Sequence, residues 1–181
     1  MLFSKRGFSG TTTREVARSA GVSETTIFKY FATKEELYAA IIEAKSQTHQ
    51  LLERLAPVAG RKDDAVFLTA LARELIARTQ ADLTLMWLLF FSALEGHALS
   101  DMFFQSRLNS VDVFLIRYIN ERVAAGAFRP VDPAQAARSF IGMVTQHLLL
   151  QELFRQKPPP HLTTDRVVGE MVALYLRGVR A

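Results

Sequence analysis

Residues 16–31 read Val16-Ala17-Arg18-Ser19-Ala20-Gly21-Val22-Ser23-Glu24-Thr25-Thr26-Ile27-Phe28-Lys29-Tyr30-Phe31, and this stretch decides the fold. A short helix ends at Ala20. Gly21 supplies the positive φ of a tight turn. Ser23 caps a second helix almost at once. Two helices joined by so short a turn cross steeply, and small residues are expected where they touch. Ala17 and Gly21, four apart, take that place. Val16, Ala20, Val22, Ile27 and Phe31 are expected to close the small core beneath. The arrangement is a helix-turn-helix, whose second helix lies in a DNA major groove.

That second helix keeps one face free of the core. Thr25, Thr26 and Lys29 lie three and four apart, opposite Ile27 and Phe31. Thr hydroxyls and methyls suit base edges and thymine methyls, and Lys suits guanine or a phosphate. Upstream, Thr12-Thr13-Arg14-Glu15 is a capping box. The helix N-termini at Thr12 and Ser23 add N–H donors for phosphate. Lys34 opens the next helix, after Thr33, as a further cationic point. Glu24 has two readings: a first-turn acid favoured by the helix dipole, or a cytosine reader. Arg14 and Arg18, four apart, repel unless an anion lies between them.

Charge placement agrees with an anionic partner. The formal net charge of the 181 residues is +4. Residues 1–34 hold six Lys/Arg and two Glu, so the whole excess sits in the first fifth of the chain. The remainder is neutral. Like-signed charge concentrated in one segment points to nucleic acid or an anionic membrane surface.

The stretch from Phe3 through Gly7-Phe8, Thr11 to Ala17, Ala20 to Ser23, Thr26 to Phe28, Tyr30-Phe31, Lys34-Glu35 and Leu37 resembles the DNA-binding domain of the tetracycline-repressor (TetR) family. The resemblance implies a homodimeric transcriptional regulator, usually a repressor. It would bind a palindromic operator and be released when a variable C-terminal domain takes up a small effector. It implies DNA contacts from Thr12, Thr13, Arg14, Ser23, Glu24, Thr25, Thr26, Phe28, Lys29, Tyr30 and Lys34. There are departures. The family usually has Tyr where Phe28 stands, so Phe28 carries over only as a packing or thymine-methyl contact. Tyr30 stands where His is common, and its hydroxyl can still reach a phosphate. Only Met1 to Arg6 precede Gly7, where the family runs a helix of about 15 residues; one turn is too short to be stable alone. The stretch Gly126 to Pro133 also looks like a junction common in these C-terminal domains.

The rest of the chain reads as helix. Breaks fall at Ala56-Pro57 to Lys62, at Gly126 to Pro133 and at Lys157 to His161. Between them the apolar period is helical: Phe67, Leu68, Leu71, Ala72, Leu75 and Ile76 make one stripe. No stretch shows sustained period-2 alternation. The fold class is therefore all-α, with about nine helices: an N-terminal helix-turn-helix three-helix domain over residues 1–45 and a helical bundle for ligand binding and dimerisation over 46–181. A long helix is expected from Lys34 to about Leu55. Asp132-Pro133 opens another, with Pro at its first position.

Met86 to Phe91 should form a helix apolar on every side, hence buried centrally. With rings from neighbouring helices and a few polar groups, it makes a candidate effector site for an aromatic or lipophilic molecule. Its expected residues are Trp87, Phe91, Phe104, Phe114, Phe140, Met143 and His147. A packed core fits the same residues. Leu148-Leu149-Leu150 and the segment from Val167 to Leu176 present apolar surface on more than one face, so the last two helices are expected to make the homodimer. Gly142, mid-helix, points to a close approach by another helix.

Rival functions find little in the sequence. No His-Glu-x-x-His, Gly-rich phosphate loop or Gly-x-Ser-x-Gly is present, and the four His fit no metal-ligand spacing. Enzymatic activity, metals and cofactors are accordingly not expected. Absence of Cys removes thiolate chemistry. The longest apolar run, Leu83 to Leu94, is shorter than the roughly 20 residues a membrane span needs. No signal-peptide pattern opens the chain, so a cytoplasmic protein with no membrane partner is expected.

Overall fold

The structure is a computed structural model that describes residues 2–46, 48–95, 108–156 and 159–181. Among these there are nine helices of seven residues or more, a one-turn helix and a π-helical turn. No named strand occurs among them; one isolated antiparallel bridge joins Phe128 and Arg180. The chain is all-α, as its periodicity requires. It divides into two compact units: Met1–Gln47 with Asp82–Leu108, and Thr48–Ala81 with Asn109–Ala181.

The first unit contains α1 (Phe3–Arg6), α2 (Thr13–Ala20), α3 (Glu24–Tyr30), α4 (Lys34–Ser46) and α7 (Thr84–Leu94). Tyr38, fully buried, organises its core. Its ring takes Phe3 and Phe8 edge-on at 5.0 and 5.3 Å. Its hydroxyl donates to the carbonyl of Leu88 in α7 at 2.7 Å. Burial, with the Glu95 carboxylate adding, pushes the Tyr38 phenol up to about 12. Phe3, Phe8, Ala17, Ile27, Leu37 and Ile42 complete the cluster with Leu88. Phe3, in the one-turn α1, and Phe8, in the turn after it, both enter this core.

The turn between α2 and α3 departs from expectation in detail. Gly21 has φ +70°, and the Val22 N–H donates to Ala17 O at 3.0 Å, a left-handed helix closure. A Cβ on Gly21 would meet nothing within 4 Å, so its backbone freedom, not its small size, is what the turn needs. Ala17 is buried at the crossing, but Ala20 and Val22 are exposed. Ile27 is buried and Val16 and Phe31 half-buried, so these three do the closing.

The second unit contains α5 (Thr48–Gly60), α6 (Asp64–Ala81), α8 (Leu108–Ala124), α9 (Pro133–Leu148), a π-helical turn (Leu149–Leu153) and α10 (Thr164–Val179). Asp132 caps α9 by accepting the Gln135 N–H at 2.6 Å, with Pro133 at the first helical position. Thr163 caps α10 by accepting the Arg166 N–H. Phe67, Leu68, Leu71, Leu115, Ile119 and Phe140 are the fully enclosed centre of the core. The C-terminal end pairs with the α8–α9 junction: the Arg129 N–H donates to Val179 O at 2.9 Å.

A buried polar joint ties α6 to α8. Arg122 Nε and Nη2 donate to the two Asp64 oxygens at 2.7 and 3.0 Å, and the Tyr118 hydroxyl donates to Oδ1 at 2.7 Å. The bidentate geometry satisfies a carboxylate that is only 7% exposed. Burial together with this bond raises the Tyr118 phenol above its ordinary range.

Two expectations fail. Helical residues reach Ser46 and resume at Thr48, but helix continues to Gly60 through Pro57, which was read as a break. Pro57 lies inside α5 and removes the amide bond back to residue 53, and the helix runs only three residues beyond it. In α7 only Leu88 and Ser92 are fully buried, and Leu94 is largely exposed, so an all-apolar sequence does not make it a central helix. At Gly142 a Cβ would meet no described residue outside its own helix within 4 Å, so the approach expected there is not made within the described chain.

Candidate nucleic-acid interface

Local hydrogen bonds fix the two helices of the motif. The Thr12 hydroxyl accepts the Glu15 N–H at 3.2 Å, and the Glu15 carboxylate takes the Thr12 N–H at 2.9 Å. These bonds, with Arg6 Nη1 at 2.9 Å, hold the Glu15 carboxyl below the usual carboxylate value. Just ahead, the fully buried Thr11 donates its hydroxyl to Gly7 O at 2.9 Å. Ser23 accepts the Thr26 N–H at 3.1 Å and starts α3. Thr33 accepts the Glu36 N–H and starts α4, while the Glu36 carboxylate takes the N–H of Ala32.

The candidate contacts then sort by what already occupies them. Glu24 accepts the Thr13 hydroxyl at 2.6 Å and pairs with Arg14 Nε at 3.5 Å. Its carboxylate therefore joins α2 to α3, and of its two readings the first-turn, structural one is the arrangement present. Arg14 remains largely exposed. The hydroxyls of Ser23 and Thr26 lie 2.8 Å apart and bond each other. Lys34 places its ammonium 4.2 Å over the Phe8 ring and is half-buried. By contrast Thr25, Phe28, Lys29 and Tyr30 are exposed. The Thr25 and Lys29 side chains make no hydrogen bond or ion pair among the described residues. Opposite them Ile27 is 7% exposed, so α3 has one buried and one open side.

A family model for bacterial regulatory proteins of the tetR family matches residues 1–41. A second, the C-terminal domain of AefR-like transcriptional repressors, matches residues 67–178, more than half of the chain. The chain belongs to the TetR family of transcriptional regulators. Over 70 residues the chain is 39% identical to the HTH-type transcriptional regulator RutR of Escherichia coli K12. That match covers 38% of this chain and 30% of RutR, so the likeness spans about a third of that relative. Two solved structures share the TetR fold. One is FadR of Bacillus subtilis with stearoyl-CoA, at 20% identity and TM-score 0.73, covering 99% of this chain and 94% of FadR. The other is AibR with isovaleryl coenzyme A and operator DNA, at 24% identity and TM-score 0.66, covering 96% and 91%.

The candidate effector residues of this TetR-family chain are distributed over both units. Trp87 and Phe91 lie on α7 in the first unit, ring centroids 5.9 Å apart and both half-buried. Phe114, Phe140, Met143 and His147 lie in the second. Phe114 meets Phe67 edge-on at 5.9 Å and Phe140 meets Tyr175 at 5.1 Å, so both rings take part in the core. Met143 packs partly against that core and lines an open groove with Val131, Ser139, Leu174 and Gly178. His147 buries Nε2 with no hydrogen-bond partner among the described residues. Burial holds its imidazole below the ordinary value, with Glu152 pulling the other way. Phe104 lies outside the described residues, as do His97, Phe103 and Gln105.

One contributor was invisible to motif reading. Glu95, at the end of α7, accepts the Phe8 N–H at 3.0 Å and the Ser9 N–H at 3.2 Å. Gly7 has φ +73°, and its Cβ would stand 2.2 Å from Glu95 Oε1. Here glycine is required both by conformation and by the approach of the carboxylate. The nearby Lys45–Asp82 pair, at 2.7 Å, further binds α4 to the start of this segment and holds Asp82 down to about 2. The sequence offered one hint, an isolated acid closing an apolar run, but not its partner.

Proposed function

We propose that the protein represses transcription by binding a palindromic DNA operator as a homodimer, and that a small lipophilic or aromatic effector releases it. The open side of α3, with Thr25 and Lys29 exposed beside two capped helix N-termini, carries this reading. Thr12, Thr13, Arg14, Tyr30 and Lys34 serve the phosphate backbone; Thr25, Thr26, Phe28 and Lys29 face base edges. Arg14 exchanges Glu24 for a phosphate on docking.

Residues 46–181 carry the effector and dimer functions in this scheme. Dimerisation uses α9 and α10. Leu174 is 62% exposed, Met143 and Gly178 line the same groove, and Gly142 has open space above it. Such a small-residue, apolar face suits a second copy, and the two-fold axis then places paired recognition helices in successive major grooves. The effector residues are Trp87, Phe91, Phe104, Phe114, Phe140, Met143 and His147. That FadR and AibR were solved with acyl-coenzyme A thioesters makes this class the first to test, since an acyl chain is lipophilic. Release requires that the effector bind the DNA-competent and incompetent states with different affinity. A cytoplasmic location follows from the DNA target.

Selection of bound duplex from a random pool tests the central point. A palindromic consensus is expected, bound by a species of twice the chain's mass in sedimentation. Failure to enrich any duplex at low salt would end this reading. Acyl-coenzyme A thioesters of graded length, added to the recovered complex, then test release.

A further inference from the structure

We infer that Phe28 reads the 5-methyl group of thymine, making a thymine step a fixed feature of each operator half-site. The inference rests on the DNA-binding function proposed above and names what its recognition helix selects. Its basis is which groups remain open on α3. The acid and two of the hydroxyls at the N-terminal end are engaged within the protein: Glu24 by Thr13 and Arg14, and Ser23 and Thr26 by each other. Thr25 and Lys29 keep polar groups with no hydrogen bond among the described residues, and Thr26 reaches a base only while sharing its hydroxyl with Ser23.

What the helix exposes besides these is apolar. Among residues 2–46 the large hydrophobics left in solvent are Val22, Phe28 and Tyr30, at 43, 46 and 72%. All three fall in the turn and helix of residues 22–30, whereas Phe3, Phe8, Leu37 and Ile42 of the same unit are buried. Single exposed apolar residues need no explanation, but a group confined to one short helix in a cationic segment does. Tyr30 has a hydroxyl to give a phosphate. Phe28 has no hydrogen-bonding group, so a phosphodiester offers it nothing. It is exposed, three residues from Thr25 on the same face of the helix, and flanks buried Ile27. The apolar group that a major groove presents is the thymine methyl. A ring held at the base edges therefore meets the one feature that distinguishes thymine from uracil.

The test alters the DNA first and the protein second. Each thymine of the selected half-site is replaced in turn by deoxyuridine, which removes the methyl and keeps the pairing. At one or two positions the wild-type protein should bind about fourfold more weakly, the effect of one buried methyl-sized group. Phe28→Ala, at an exposed position that leaves the core intact, should bind the thymine and uracil duplexes equally. A selected site without thymine, or uracil tolerated at every position, overturns the inference while leaving DNA binding intact. So does a Phe28→Ala protein that weakens on both duplexes alike, since the ring would then rest on sugar and phosphate. If the protein enriches no duplex at all, the function fails and the inference with it.

Discussion

Two carboxylates in different units hold the same kinds of partner and do different work. Glu24 takes a threonine hydroxyl and an arginine; Asp64 takes a tyrosine hydroxyl and an arginine. The Glu24 side chain is a third exposed and its arginine stands mostly in water, at 3.5 Å. The Asp64 side chain is 8% exposed and grips Arg122 through both oxygens. Exposed ion pairs contribute little and are readily exchanged. A buried pair cannot be opened from one side without stranding a charge. Burial, not the identity of the partners, thus separates a contact that can be handed to a phosphate from a joint that holds two helices.

The contrast can be broken at its strong end first. Asp64→Ala leaves the Arg122 guanidinium without its partner and should destabilise the protein by about 3–5 kcal/mol, read as a lower urea midpoint. A loss below about 1 kcal/mol would mean that Arg122 reaches water. At the head, Lys29→Ala should weaken operator binding by about 1–3 kcal/mol if it pairs with a guanine. A uniform weakening across sequences, with the salt slope smaller by about one, would assign it to a phosphate instead. Folding should be unaffected in either case.

Smaller effects sharpen the picture. Glu24→Gln keeps the oxygen that Thr13 needs but frees Arg14 of its charge partner. Duplex affinity should rise a few-fold at low salt and the gain should shrink as salt is added. A fall in affinity would make Glu24 a reader of bases after all. The smallest effect concerns His147. Its native imidazole titrates below the ordinary 6.5, so the unfolded chain takes up a proton that the folded one declines. Stability should therefore decrease as pH falls through about 6.5, and His147→Phe should flatten that slope between pH 7.5 and 5.5. An unchanged slope would place the histidine in water.

The features legible in the sequence are those whose partners lie within a few residues. The Thr12–Glu15 box, the Ser23 cap, the Asp132–Pro133 start and the glycine closure at Gly21 are local, and the chain forms each of them. Side-chain fate in the turn was harder to read. Val22 is apolar and adjoins core residues, yet faces solvent, because its position follows from the turn and not from helical period. Pairings distant in sequence left no trace: Glu95 with the Phe8 amide, 87 residues away, or Tyr118 with Asp64, 54 away. The open side of α3 was legible in Thr25 and Lys29, both of which are exposed. The engagement of Glu24 by Thr13 and Arg14 was not, because both the free and the engaged acid obey the same spacing.

The first unit takes part of its core from residues 82–95, which the chain supplies only after leaving for α5 and α6. Anyone grafting this reading head onto another regulator by cutting after residue 45 would leave behind Leu88, the acceptor for Tyr38, and the acid that gathers the Phe8 and Ser9 amides. A transplant that carries both pieces, or a circular rearrangement that joins them, is what the connectivity demands.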